Sequence, residues 1–386
     1  MTRTRRELLR IGGAACSIGL AGCLGVLDGG NAGTPTAADA AGPDAWRMVG
    51  AGPTGTRSLS VSGPRGNATE DWTATVGDFT GSPVVADGRL FVVGGDSDER
   101  TGTLAAFDAE NGDELWRTDL EQINPQTPAV TGGVVYIGDE ETAYAFDAET
   151  GEELWTVDAG RLVEGDATVA NGLLVLPDAD GAGLTAIDTE NESVRWSADP
   201  GGNMTAAAIA GGTVYVGAGD TLYAYAADSG EERWAERFLG QVTSAPAVAD
   251  GTVYAGVEQE VLAMDPDTGE TLLDTDGGRG NFRHIAVSDG TIYVGGDDGT
   301  YAFSSEDGSQ QWSRSSNASN PPIPVVAEET VYVRELSGAV VALDQSNGGV
   351  RWTYDTERQT RQTPALAEGV VYVATNSGTI EALRES

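Results

Sequence analysis

Apolar and polar positions along the chain fall into a unit that returns about every 40 residues. Each unit opens on an apolar run, turns tightly, and continues in a second run rich in Val and Tyr. SPVVADGRLFVVGG (Ser82 to Gly95), APAVADGTVYAG (Ala245 to Gly256) and TPALAEGVVYVA (Thr363 to Ala374) are clear copies. Val, Tyr and Thr set between Gly and Asp breakers predict strands joined by tight hairpins. A third run follows, as in LYAYAA (Leu222 to Ala227), then a Gly turn, then a fourth run that starts at a tryptophan. Beyond the leader no stretch carries a long 3.6-residue period, which excludes a helical solenoid. Four short antiparallel strands per unit predict an all-β fold of propeller blades.

The tryptophan position falls at Trp72, Trp116, Trp155, Trp196, Trp234, Leu273, Trp312 and Trp352, with spacings of 44, 39, 41, 38, 39, 39 and 40. The turn before it is clearest in AFDAENGDELW (Ala106 to Trp116), AFDAETGEELW (Ala145 to Trp155) and ALDQSNGGVRW (Ala342 to Trp352). Asp147 can bond the backbone ahead of it, and Gly151 can take the left-handed conformation that closes the hairpin. Glu192 stands where that Gly is expected, and Ala226 replaces the Asp, so altered turns are expected in those two blades. Leu273 predicts the weakest inter-blade packing in the fifth blade. Eight inner hairpins, near Asp87, Gly132, Asn171, Gly211, Asp250, Ser288, Glu328 and Glu368, give eight blades. The last unit ends at Ser386 after its third strand, and EDWTATVGD around Trp72 is a fourth strand without its first three. The economical expectation is that residues near Glu70 to Val76 complete the final blade. Such closure leaves no open sheet edge.

The signature A-x-D-x-x-T-G-x-x-x-W, with P-A-V-x-x-G-x-V-Y-V-G upstream, resembles the PQQ-like β-propeller repeat family over roughly residues 70 to 386. The resemblance implies an eight-bladed propeller. The family includes quinoprotein dehydrogenases and BamB-type lipoproteins that use the same ring as a protein-binding scaffold, and fold alone does not choose between them. Residues 46–69, beginning WRMVGAGPTGT, are similar to the lead-in found before such propellers. Quinoprotein dehydrogenases use Ca²⁺ held by Glu, Asn and Asp, a catalytic Asp, long insertions over the site and commonly a vicinal disulfide. This chain has near-minimal blades, and its two Cys, Cys16 and Cys23, both lie in the leader. Neither the quinone nor Ca²⁺ is therefore expected as a cofactor. The Asp-rich turns at Asp96–Asp98 and Asp178–Asp180 lack the ligand spacing of a calcium loop.

The N-terminus alters the picture of where the ring would sit. Thr4-Arg5-Arg6-Glu7-Leu8-Leu9-Arg10 resembles a twin-arginine export signal. The apolar stretch Ile11 to Gly22 is shorter than the ~20 residues that span a bilayer. It ends in Leu20-Ala21-Gly22-Cys23, which looks like a lipobox, so residues 1–22 read as a signal peptide with Cys23 the lipidated first residue. Residues 23–45, low in aromatics and rich in Gly, Ala, Asp and Thr, read as a flexible tether. The expected location is the outer face of a cell membrane, held by lipid.

Charge completes the reading. Sixty acids face 22 bases, all of them Arg, for a net charge of −38 that becomes −41 without the leader. The acids are spread through every blade, a pattern resembling proteins of salt-loving archaea, where high salt screens self-repulsion. Such a balance excludes a basic nucleic-acid footprint.

In a propeller the fourth-to-first and second-to-third loops emerge on one face, and here these are the variable ones, the favoured place for recognition. Six Arg on these loops, Arg161, Arg279, Arg283, Arg314, Arg358 and Arg361, stand out in so acidic a chain. They read either as a funnel for an anion or glycan, since Arg forks suit carboxylate and phosphate, or as surface cations paired with neighbouring acids. His284 is the only His. It could serve as a general base near the channel, but no Ser or Cys nucleophile motif accompanies it, which favours an inward-facing polar residue satisfied locally. Sequons at Asn67, Asn191, Asn203 and Asn317 are candidate glycan sites. The function expected is a non-catalytic, lipid-anchored monomeric propeller that scaffolds an envelope protein or binds an anionic glycan. The alternative is a quinone-dependent dehydrogenase working in the central channel.

Overall fold

The computed structural model of the chain describes residues 46–386 apart from residues 49, 97–100, 121–125, 140, 161–164, 178–182, 276–280, 317–320, 336–337 and 357. Eight sheets, each built on four antiparallel strands, form an eight-bladed β-propeller; in seven blades the four run in sequence order from the axis outwards, and short extra strands, Ser58–Leu59 and Phe79–Thr80, extend two of the sheets. The second blade shows the plan, with Ala129–Thr131 innermost, then Val134–Asp139, Thr142–Asp147 and Glu153–Asp158. The second and third strands of each blade are covered on both faces by neighbouring blades, so their side chains are buried almost without break, as in TVYVR (Thr330–Arg334). Fourth strands lie at the rim and are largely exposed, with the Trp as the buried position in Ser193–Ala198 and Gln310–Ser315.

The repeated signature has a packing reason. Its first Ala sits on the third strand opposite the Trp of the fourth, as Ala145 faces Trp155 and Ala342 faces Trp352. Both Ala are fully buried. With so small a residue between them, the Trp ring meets the Tyr of the second strand across the third, at centroid separations of 5.8 Å for Tyr136–Trp155 and 5.9 Å for Tyr293–Trp312. The pairing shifts register just after this Ala in every blade, a β-bulge that turns the chain into the Asp turn. There Asp147 accepts the backbone N–H of Glu149 and Thr150 at 2.9 and 2.8 Å. Most of the Trp also reach the next blade: Trp116 Nε1 donates to the Ala148 carbonyl at 3.1 Å, and its ring lies where a Cβ on Gly151 would stand.

The two unusual turns are altered, as the sequence suggests, but only locally, and the chain keeps its course. At Ala226 the backbone bonds to Glu231 and Gly230 persist without the side-chain cap. Glu192 adopts the glycine conformation itself, with φ of 52°, while Asp188 caps Glu190 and Asn191 as usual. The ring imposes the turn and the residue absorbs the strain. Glu192→Gly should therefore raise stability by about 1 kcal/mol, the left-handed penalty of a side chain, read as a higher thermal midpoint. The fifth blade departs as expected in composition, since Leu273 leaves Tyr254 without an aromatic partner from its own fourth strand.

Both ends of the chain close the ring. Ala68–Thr75 pairs antiparallel with Thr379–Glu385 and supplies the fourth strand of the last blade. Trp72 packs 5.9 Å from Tyr372 and over Gly112 of the first blade. Residues 46–62 do something that their similarity to a lead-in did not specify: they wind once around the axis, inside the ring. Backbone N–H groups of the innermost strands donate to them in blade order, Val85 to Trp46, Val130 to Arg47, Ile209 to Pro53, Val248 to Thr54, Val287 to Thr56 and Val326 to Arg57, at 2.7 to 2.9 Å. Met48 packs with Ala167 and Val169 of the third blade, and Gly369 of the eighth donates to Ser62. These bonds satisfy the inner sheet edges, which would otherwise be open. Gly55, with φ of 70°, fits because a Cβ there would stand 2.5 Å from the Pro246 carbonyl oxygen. The axis is thereby filled close to the first hairpins.

Candidate functional site

The two faces of the ring differ by construction. The face of the first and third turns is uniform, and its turns bond one another, with Ala148 N–H on Gly133 and Ala227 N–H on Gly212. The opposite face carries the connections between blades. Four of the candidate arginines are described there. Arg283 is exposed and forms an ion pair with Asp297 at 3.7 Å. Arg314 bonds Glu335 at 2.7 Å with both side chains mostly covered. Arg358 donates to the hydroxyls of Ser377 and Thr379 at 2.8 and 2.7 Å and, among the described residues, meets no acid. Arg361 is exposed, and its guanidinium makes no hydrogen bond among the described residues. The loop arginines thus divide: Arg283 and Arg314 are paired, while Arg358 and Arg361 keep charge available at the surface. Arg161, Arg279 and Cys23 lie outside the described residues.

Of the sequons, Asn67, Asn191 and Asn203 are exposed. Asn191 spends its amide on Asp188, at 3.0 Å, and sits on the uniform face. Asn203 sits on the variable face, and Asn317 is outside the described residues.

His284 begins the innermost strand of the sixth blade, Phe282–Ser288. It lies as far before Val287 as Asp166 lies before Val169 and Thr363 before Leu366, so these three share one level of the axial channel. Among the described residues none hydrogen-bonds the imidazole, which differs from the expectation that it is satisfied locally. Its charged neighbours are instead all cations: Arg57, Arg334 and Arg283. Neither Arg57 nor Arg334 is distinguished by any sequence motif. Arg57 comes from the wound N-terminal segment, has φ of 50° and is 7% exposed. Its Nη1 donates to Thr363 Oγ1 at 3.3 Å. Arg334 ends the second strand of the seventh blade, is 3% exposed, and donates to the carbonyls of Thr360 and Arg361 at 3.1 and 3.2 Å.

Burial and the nearby guanidinium groups hold the His284 pKa well below 6.5. Burial also lowers Arg57 and Arg334, each to about 10, so both stay charged at neutral pH. The fold accepts a neutral imidazole, whereas the unfolded chain protonates its His below about pH 6.5. Stability should be level above that pH and fall below it, by up to about 1.4 kcal/mol per pH unit. The carboxylates that hydrogen bonds hold low, such as Asp147 and Asp265, lose their contribution only further down, below 3.8. Chemical denaturation between pH 7 and 5 checks this, and His284→Gln should flatten the slope.

Set beside known proteins, the chain matches the family model described as outer membrane protein assembly factor BamB over residues 100–209, 198–281 and 301–386. No curated protein sequence matches it. Among solved structures, BamB from Moraxella catarrhalis superposes with a TM-score of 0.67 at 18% identity, covering 82% of this chain and 97% of that one. The quinohemoprotein alcohol dehydrogenase from Comamonas testosteroni gives 0.72 at 15%, covering 90% and 81%. A computationally designed protein, Ika8, gives 0.68 at 17%, covering 80% and 97%. At such identities the likeness is one of fold. The family match rests on sequence and spans most of the blades, and by it this chain belongs to the family described as outer membrane protein assembly factor BamB.

Proposed function

We propose that the protein is a non-catalytic scaffold, held by a lipid on Cys23 to the outer face of a cell membrane, whose variable face docks an acidic segment of an envelope protein. The observation that carries this is the asymmetry of the ring. One face is tied down by uniform hydrogen-bonded turns, while the other presents Arg358 and Arg361 without acidic partners on a rigid frame. Rigid display of forked donors suits carboxylate groups on a partner. The BamB-type family membership supports a protein-binding role, and the lipobox and twin arginines support the location.

Immobilised full-length protein should retain a discrete set of membrane proteins from a detergent extract. The combined variant Arg358→Ser with Arg361→Ser should lose at least about tenfold in that retention, because charge-assisted pairs dominate such contacts. Equal retention by the variant overturns the docking face. Partition of a Cys23→Ser variant with membranes, as for the parent, overturns the anchor. Stoichiometric uptake of pyrroloquinoline quinone together with dye reduction would replace the scaffold by the dehydrogenase reading.

A further inference from the structure

A chain with 60 acids and 22 arginines has carboxylates to spare, yet it buries two guanidinium groups without giving either a hydrogen-bonded carboxylate among the described residues. Buried charges are ordinarily paired, because taking an ion out of water is costly. Arg57 bonds only a hydroxyl through its side chain, and Arg334 bonds only two carbonyls. Arg334 Nε is fully buried and has no partner among the described residues. Among the described residues, the charged groups that act on this cluster are Arg57, Arg334, His284, Arg283, Arg361 and a single acid, Asp166. Asp166 also accepts the N–H of Thr127 at 2.8 Å, and its influence reaches Arg57 but not Arg334. With the imidazole neutral, two buried cations face one acid among the described residues, and the balance of those groups is positive.

Solvent reaches this level of the axis, since His284 is only partly buried. The wound segment from Trp46 to Arg57 bonds the innermost strands close to the uniform turns, which leaves the variable face as the side for a ligand to approach. Arg283, within the strand Phe282–Ser288, and Arg361, on the loop that leads into the eighth blade, are near enough to act on His284 and Arg334 respectively. In a low-dielectric pocket, forked N–H donors and a hydroxyl select a compact oxyanion over a monatomic ion.

We propose that the axial channel binds a small oxyanion, a carboxylate or a phosphate, between the guanidinium groups of Arg57 and Arg334, beside His284 and the Thr363 hydroxyl. The anion completes the charge balance that Asp166 leaves open and occupies the donor capacity of Arg334 Nε. This site is separate from the docking of a partner on Arg358 and Arg361, and either can fail without the other.

The sole histidine makes the test direct. In the full chain, the His284 ring proton resonances report on this level of the channel alone. Inorganic phosphate and succinate are titrated separately at constant ionic strength against chloride. At least one should shift these resonances saturably, and which one does so assigns the site to phosphate or to carboxylate. Arg334→Gln and Arg57→Gln should each weaken that binding by about tenfold or more. Arg237→Gln, a surface change at the Asp220 pair, should leave it unaltered. Should Arg334→Gln not fold, the parent and Arg57→Gln titrations decide alone. Flat titrations with both anions, or equal affinity in the parent and the arginine variants, overturn the proposal.

Discussion

A chain beginning at Gly77 will show no cooperative unfolding transition. It lacks Ala68–Thr75, the only partner of the Thr379–Glu385 strand on its outer side, and it lacks the segment that satisfies the inner edges of at least six blades. It also loses Trp46, Met48 and Trp72, which are buried in the parent. Together these exceed the ~5–15 kcal/mol by which an ordinary domain is stable. Near-ultraviolet circular dichroism and a thermal melt are the measurements. A truncated chain that melts cooperatively within a few degrees of the parent would show that the ring closes without its N-terminal strand. A peptide of residues 46–76 added in trans should restore part of the signal, since its contacts are backbone pairings and buried side chains rather than covalent constraints.

The second large effect is expected from one methyl group. Gly295 lies on the strand Thr291–Gly296 of the sixth blade, and a Cβ there would stand 1.7 Å from the carbonyl oxygen of Pro322, at the entry to the seventh. The backbone of Gly295 is not left-handed, so the cost of Gly295→Ala is purely the forced separation of two blades. Overpacking of this kind costs about 3 kcal/mol where backbone must move. Gly88→Ala is the matched comparison: nothing stands within 4 Å of its Cβ, but φ is 74°. It should cost only the left-handed penalty of about 1 kcal/mol. Denaturant melts of the two variants rank the effects. A Gly88→Ala protein less stable than the Gly295→Ala protein would contradict blade contact as the larger of the two costs.

What is readable from the chain alone follows from the range of each interaction. The strands, the eight blades and the completion of the last blade by the Trp72 segment all follow from patterns local to a unit and from counting units. The Trp–Ala–Tyr row is visible as a repeated spelling, though the reason for the Ala needs the strand pairing. Glu192 is legible as an oddity but does not announce its outcome, because the geometry of that turn is imposed by its six counterparts and by Asp188 rather than by the residue itself. The axial cluster is not legible beyond His284. Arg57 meets Thr363 across a separation of 306 residues, and Arg334 is the last residue of an otherwise ordinary strand. No local pattern marks either, whereas the surface arginines stand out because loops are where charge is expected.

The path of residues 46–62 has a mechanical consequence. Tension applied at the N-terminus does not reach the rim of the ring first. It enters at the axis, where Trp46 accepts from Val85, and each further increment of extension must free one more blade in turn. Only after that circuit is unwound does strain arrive at Ala68–Thr75, which lies along its neighbour and is sheared rather than peeled. A ring tugged from this end yields by degrees before it opens, and resists most where its own blades share the load.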